Sequence, residues 1–207
     1  METSIGTVKK SQYRTSRWAG GTTTELLIYP EDSKYSDRSF KWRISSAEVE
    51  AAESEFTSLP GISRHIMVTD GQIDLVHEGR YRKLLSPFHQ DTFMGDWKTT
   101  SHGRATDFNL MLSDGFSGRL EVHFLKEREQ MELDLGDVDR GNATDVLYPL
   151  NGSLRVEAGS QEFNVDERDL FRITRTAAGD ERVLKLTNAS LHKLIVIRAV
   201  ILENEEE

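Results

Sequence analysis

Twice along its 207 residues the chain runs the same course: an apolar run, a Gly turn, an alternating run, a second Gly turn, and a further run near an acidic residue. The first pass reads "HIMVTDGQIDLVHEGRYRKLLSP" and, beyond it, "FMGDWKTTS"; the second reads "DVLYPLNGSLRVEAGSQEFNVDERDLFRITR". Gly71 aligns with Gly152, Ile73 and Leu75 with Leu154 and Val156, and Asp96 and Trp97 with Asp169 and Leu170. A supersecondary pattern repeated in the same order marks a duplicated unit. The join is predicted between about Ser113 and Asp134.

The rest of the chain has the same grain. Runs at 25–29, 40–45, 65–69, 73–77, 108–112, 120–125, 153–157, 170–174, 183–186 and 191–200 are of strand length, rich in β-branched and apolar residues, and bounded by turn formers. Only "SAEVEAAE" at 46–53 has a helical composition. It reads either as a short helix capped by Ser45 or Ser46, or as the far end of a strand begun at Trp42. Many short strands without interleaved helices favour a sandwich or barrel, and the repeated rhythm resembles a small barrel of the cupin kind. The expected fold is all-β, with two cupin-like β-barrels in one chain (a bicupin) and few or no helices. Residues 1–115 form the N-terminal barrel and 116–207 the C-terminal one.

A net charge of −9 argues against general nucleic-acid affinity, which needs a basic stripe. It leaves room for one small anion held by a local pair of arginines. The absence of cysteine removes disulfides, thiolate metal sites and thiol nucleophiles together, and fits a reducing cytoplasm. The first residues lack the apolar core of a signal peptide, and no 18 apolar residues run together, so a soluble chain without a membrane partner is expected. The sequons at Asn142, Asn151 and Asn188 then read as chance turns, and the tail "ENEEE" as a solvated end.

The stretch "RWAGGTTTELLIYP" at 17–30 raises the question of a phosphate loop. Such a loop needs Lys-Ser/Thr at its end and a helix N-terminus. Here no lysine follows until Lys34, and the next element reads as a strand. Metal binding has little support: His65, His77, His89, His102, His123 and His192 are scattered, and no His-x-His exists. A triad of His65, His77 and His102 from distant strands is the remaining route to a metal. No Gly-x-Ser-x-Gly elbow is present, and no cofactor is called for.

What remains is polar residues at alternate strand positions. In "FKWRISSAE", Arg43 and Ser45 face one way and Trp42 and Ile44 the other; in "TDFNLML", Asp107, Asn109 and Met111 oppose Phe108, Leu110 and Leu112. The polar set points into a pocket, where Arg43 and Arg64 could hold a carboxylate by bidentate bonds. The plainer alternative pairs Arg43 with Glu25 or Asp107 as a structural salt bridge, uses Asn109 to tie down backbone, and leaves Arg64 on the surface.

These residues lie in motifs that resemble the HutD/Ves family of small bicupins: "WAGGTTTEL", "FKWRISSAEV", "FTSLPGISR", "DGQIDL", "SPFHQDTFMGD" and "TDFNLM", in the family's order across roughly residues 10–115. The family usually has an asparagine where this chain has Ala19 and Gly20, and an arginine where it has Thr24. The resemblance implies two cupin barrels, often self-associating as a homo-oligomer such as a dimer, with no established catalysis. It also implies a link to histidine utilisation or stress response, and a small carboxylate ligand such as formylated or formiminated glutamate, or formate. The residues on the pocket motifs are Trp18, Thr23, Glu25, Arg43, Ser45, Arg64, Asp107 and Asn109. The expected function is a cytoplasmic, non-catalytic metabolite-binding protein. A cupin enzyme, metal-dependent or using Glu25 or Asp107 as acid/base, and a scaffold for protein partners are the alternatives.

Overall fold

In a computed structural model of the chain, residues 3–138, 141–177, 179 and 181–204 are described. The last three residues of the acidic tail, 205–207, lie outside them. Nine strands occupy the first half: β1 (Ser4–Val8), β2 (Arg14–Trp18), β3 (Gly21–Tyr29), β4 (Trp42–Val49), β5 (Glu53–Glu55), β6 (Ile62–His77), β7 (Tyr81–Leu85), β8 (Gln90–Met94) and β9 (Thr99–Ser113). Eight follow: β10 (Phe116–Leu125), β11 (Gln130–Asp134), β12 (Asn142–Pro149), β13 (Leu154–Ala158), β14 (Gln161–Val165), β15 (Leu170–Thr176), β16 (Val183–Asn188) and β17 (Leu194–Glu203). The helical residues described are two single 3-10 turns, Lys10–Gln12 and Tyr35–Asp37. The fold is all-β. The helical composition at 46–53 is overridden, because β4 runs on to Val49 between β3 and β9, and pairing on both edges outweighs local propensity.

Two compact units divide the chain: residues 13–116, and residues 1–12 together with 117–207. The first twelve residues, assigned from sequence to the N-terminal barrel, thus belong to the C-terminal unit. The reason is pairing: β1 is an antiparallel edge strand on β15, with Ile5 opposite Ile173 and packed on that unit's core.

In the N-terminal unit the strand order is β2-β3-β4-β9-β6-β7, with β8 on β6 and β5 on β9. The two long strands, β6 and β9, carry the barrel round its bend. A register shift between Val68 and Asp70 inserts one residue, so Ile62, Arg64, Ile66 and Val68 share a face with Ile73, Leu75 and His77 beyond it. Gly71 sits at this bend with φ +75; a Cβ there would lie 2.4 Å from the Arg104 carbonyl oxygen, so only glycine lets β6 and β9 close up. Ile66, Val68, Ile73, Leu75, Leu85 and Phe93 then form one buried core cluster, each large aliphatic contributing about 1.5–3 kcal/mol by leaving water.

The C-terminal unit repeats the plan with its long strands broken in two. A five-stranded sheet has the order β1-β15-β12-β17-β10, and a four-stranded one β11-β16-β13-β14. Ile73 pairs with Leu85 as Leu154 pairs with Val165, which makes β6 the counterpart of β12 and β13, and β7 that of β14. The alignment of Gly71 with Gly152 and of Ile73 and Leu75 with Leu154 and Val156 follows this topology. That of Asp96 and Trp97 with Asp169 and Leu170 does not. Leu170 opens β15, the counterpart of β8, whereas Asp96 and Trp97 follow β8. The loops into β8 and β15 are both four residues, 86–89 and 166–169, so Asp169 and Leu170 match His89 and Gln90 instead.

A polar cavity in the N-terminal barrel

Four neighbouring strands set the site by register alone. Across β3, β4, β9 and β6, Glu25, Ser45, Asn109 and Ile66 form one rung, and Thr23, Ala47, Asp107 and Val68 another. Arg43, Met111 and Arg64 form a third. Residues directly opposite one another share a face, so the arginines, Ser45, Asp107, Asn109 and Thr23 all project to the same side. The opposite side carries Trp42, Ile44, Phe108, Leu110 and Leu112, all buried. The alternation read from sequence is the alternation observed.

The polar side lines a cavity of about 260 Å³. Of the eight residues expected at a pocket, Trp18, Thr23, Arg43, Ser45, Arg64, Asp107 and Asn109 line it, and Glu25 stands behind Arg43. The Arg43 Nε donates to Glu25 Oε2 at 2.7 Å and an Nη to Ser45 Oγ at 3.1 Å, while the guanidinium lies 4.4 Å from the Tyr35 ring centroid. Since Ser45 Oγ accepts from Arg43, its own proton is available to the cavity. Arg43 is therefore partly neutralised, as the plainer reading of the sequence had it.

Arg64 is different. It is buried, not on the surface, and lies over Phe56 at 4.7 Å and Phe93 at 5.6 Å. Among the described residues its one hydrogen bond is a long one, 3.5 Å, to the Thr57 carbonyl oxygen, and its Nε has no partner. Burial pushes the guanidinium down to about 10, against the attraction of Tyr35 and Asp107, so it stays cationic at neutral pH. Asp107 and Asn109 each keep an unpartnered Oδ1, though both are buried. Burial also drives the Asp107 carboxyl up to about 7, with Arg64 and the Ala47 N–H pulling it back. Three unpaired polar atoms on residues that line one cavity stand out, because buried polar groups are normally bonded.

The Gly-Gly-Thr stretch builds the mouth of this cavity. At Gly20 a Cβ would fall 2.0 Å from the Trp18 ring, so the absent side chain is where the indole lies. Its Nε1 then donates to Thr23 Oγ1 at 3.2 Å. Gly21, at φ +151, would place a Cβ 1.9 Å from the Glu48 carbonyl oxygen, so β3 approaches β4 too closely for any side chain there. The glycines are packing devices.

The histidine triad does not assemble. His77 shares the inner side with Leu75, and bonds Thr99 through Nδ1 at 2.8 Å and Asp91 through Nε2 at 2.9 Å. His65 and His102 alternate to the outer side of β6 and β9. Among the described residues no three His, Asp or Glu side chains gather as a metal site.

Sequence reasoning missed Tyr35, Phe56 and Phe93. Phe56 stood within a quoted motif, but Tyr35 sits in a loop turn with no periodicity to announce it. The second copy also carries buried charged groups that its apolar runs conceal. Inside the C-terminal barrel Asp145 accepts from Arg198 Nε at 2.8 Å and from Arg175 at 3.3 Å, and Arg198 also bonds Glu121 at 3.1 Å. The usable signal was a charge inside an apolar run, in "TDVLYP" and "LIVIRAVIL".

No curated protein matches the chain. Among solved structures it is similar to a conserved protein of unknown function from Pseudomonas aeruginosa PAO1, with TM-score 0.77, 20% identity, and coverage of 98% of this chain and 100% of the other. It is also similar to HutD from Pseudomonas fluorescens SBW25 in a formate condition, with TM-score 0.66, 18% identity and coverage of 98% and 100%. Oxalate decarboxylase from Bacillus subtilis matches at TM-score 0.62 and 8% identity, over 100% of this chain and 78% of the other. At these identities the likeness carries the fold, two cupin-like barrels, and nothing finer. The HutD family model matches residues 10–191, nearly the whole chain, and the protein belongs to the HutD family.

Proposed function

We propose that the N-terminal barrel is a non-catalytic binding site for a small carboxylated metabolite. The single observation behind this is the buried, cationic Arg64, which lines the cavity with no carboxylate bonded to it among the described residues. A carboxylate is the group that supplies acceptors to a guanidinium in bidentate geometry. At about 260 Å³ the cavity falls below the roughly 300–1,000 Å³ usual for drug-sized ligands, so the ligand is a small metabolite such as formate or an acylated amino acid like formyl- or formiminoglutamate. Arg43 and Ser45 add donors, and Asp107 with Asn109 reads the far end. A role in the cytoplasm within histidine utilisation, carried out as a homodimer, is part of the same reading.

A thermal-shift screen at fixed protein concentration against formate, formylglutamate, formiminoglutamate, glutamate, urocanate and histidine tests it. A ligand that binds only the native state raises Tm by mass action. A shift from a carboxylate, lost in Arg64→Ala, supports the reading, and a flat screen counts against it. A buried carboxyl near 7 also favours a second reading, an acid/base enzyme using Asp107. Turnover of a bound compound, abolished in Asp107→Asn, would move the assignment there.

A further inference from the structure

The strands order the cavity from end to end. Successive inward rungs lie about 6.6 Å apart along a strand. The rung of Arg43, Met111 and Arg64 stands at one end, that of Ser45 and Asn109 next to it, and that of Thr23 and Asp107 beyond. Tyr35 belongs to the arginine end. It comes from the connection between β3 and β4, residues 30–41, and packs against the cluster of Ile28, Phe40, Leu59, Ile62 and Met111. Its ring stacks on Phe40 at 6.1 Å and 25°, and the Arg43 guanidinium lies 4.4 Å from its centroid. Apolar and cation–π contacts thus fix the ring. The hydroxyl takes no part in them. It makes no hydrogen bond to a described residue, and it is not one of the enclosed polar atoms without a partner, so it stays open on a residue that lines the cavity. Arg64 lies within the electrostatic reach of this tyrosine. Of the Arg64 guanidinium nitrogens, Nε is enclosed and one Nη bonds the Thr57 carbonyl oxygen; the other Nη is open, with no partner among the described residues.

We infer that Tyr35 is a ligand-contacting residue of this cavity, donating its hydroxyl proton to the same carboxylate that accepts from the open Nη of Arg64. The inference rests on the carboxylate reading and adds the second donor of the clamp. A carboxylate offers about four acceptor positions on two oxygens, so it takes an N–H and an O–H together. Arg43 is not the natural second donor, because its Nε is bonded to Glu25 and an Nη to Ser45. It holds the Tyr35 ring instead. A phenol already fixed by its ring loses little further freedom when its hydroxyl finds an acceptor, which is the advantage of a preorganised donor. The hydroxyl also adds a bond without adding a further cation to an end that already buries two arginines. The clamp orients the ligand. Its carboxylate lies at the Tyr35 end, and its body runs past Ser45 and Asn109 toward Thr23 and the mouth beside Trp18.

The probes are the unbranched monocarboxylates from formate to butanoate and the dicarboxylates from malonate to glutarate. Each is titrated calorimetrically into the full-length protein, and the tightest binder then into Tyr35→Phe, Arg64→Met and the double variant. Tyr35→Phe keeps the ring on Phe40 and Arg43 and removes the hydroxyl alone, so its Tm should stay within about 2 °C of the parent. The probe should bind this variant about tenfold more weakly, the loss expected of a hydrogen bond to a charged group. On the Arg64→Met background the same substitution should cost less than about threefold, because two donors that hold one carboxylate do not act independently. Binding to Tyr35→Phe within about twofold of the parent, or losses that simply multiply in the double variant, would overturn the clamp while leaving the carboxylate reading standing. A Tm lowered by more than about 5 °C in Tyr35→Phe would show the hydroxyl to be bonded within the protein, and would overturn the clamp as well. No probe bound by the parent would overturn both.

Discussion

Asp145 accepts a hydrogen bond from Arg198 at 2.8 Å inside the C-terminal barrel, at the rungs where the N-terminal barrel has Arg64 and Asn109 and a cavity. One duplicated framework therefore closes its interior with an ion pair in one copy and leaves it open in the other. Removing the acid should expose what the closed copy depends on. Asp145→Ala leaves Arg175 buried without a carboxylate and Arg198 with Glu121 alone, and should cost about 3–5 kcal/mol. Urea unfolding of the variant and the parent measures it, and a loss below about 1 kcal/mol would show the pair to be incidental.

The Asp107 carboxyl makes stability depend on pH with a definite sign. In the folded chain it holds its proton up to about 7, chiefly through burial; in the unfolded chain it releases it near 4. The folded state thus binds more protons between those values, and stability falls as pH rises from about 4 to 7. Asp107→Asn should lack this component. It should exceed the parent by on the order of 3 kcal/mol at pH 8 and match it at pH 4. Denaturant midpoints at the two pH values decide this, and a variant equally stable or less stable at pH 8 would contradict the burial of an acid at this position.

Gly20 and Gly21 should respond differently to alanine. At Gly20 the clash is with the Trp18 ring, which is 37% exposed and free to swing outward. Gly20→Ala should therefore fold nearly as well as the parent, but with a red-shifted tryptophan emission as the bond to Thr23 is lost. Gly21→Ala meets the Glu48 backbone at positive φ and should lose more than about 1 kcal/mol. Thermal melts and emission spectra of both variants check the contrast.

Arg43 and Arg64 also separate by role. Arg43→Met strands Glu25, which is mostly buried, and should lower stability by about 2 kcal/mol or more. Arg64→Met keeps an apolar stem over Phe56 and Phe93 and frees no bonded partner except the Thr57 carbonyl. It should leave Tm within a few degrees of the parent while binding suffers.

Much of this was legible from the chain. The period-2 alternation in "FKWRISSAE" and "TDFNLML" set which side chains share a face, because in a sheet facing follows from spacing alone. The duplicated Gly-turn rhythm gave the two barrels. Three things were not legible. The edge strand β1 is a short run whose partner, β15, lies some 160 residues away, and no local pattern reports a pairing at that distance. The bulge at Val68 and Asp70 reverses which residues of β6 face inward, so the inner position of His77 could not be counted from Arg64. Whether Arg43 or Arg64 keeps its charge free depends on whether Glu25 reaches one or the other, and that is set by the register of β3 on β4.

The most direct measurement is a calorimetric titration of the small carboxylate that gives the largest thermal shift, run on the parent and on Arg64→Met. Losing a charge-assisted bond in a buried site costs about 1.5–3 kcal/mol. The variant should therefore bind at least about tenfold more weakly while remaining folded. An affinity within twofold of the parent, or no carboxylate bound by the parent at all, would contradict the assignment of this cavity as a carboxylate site.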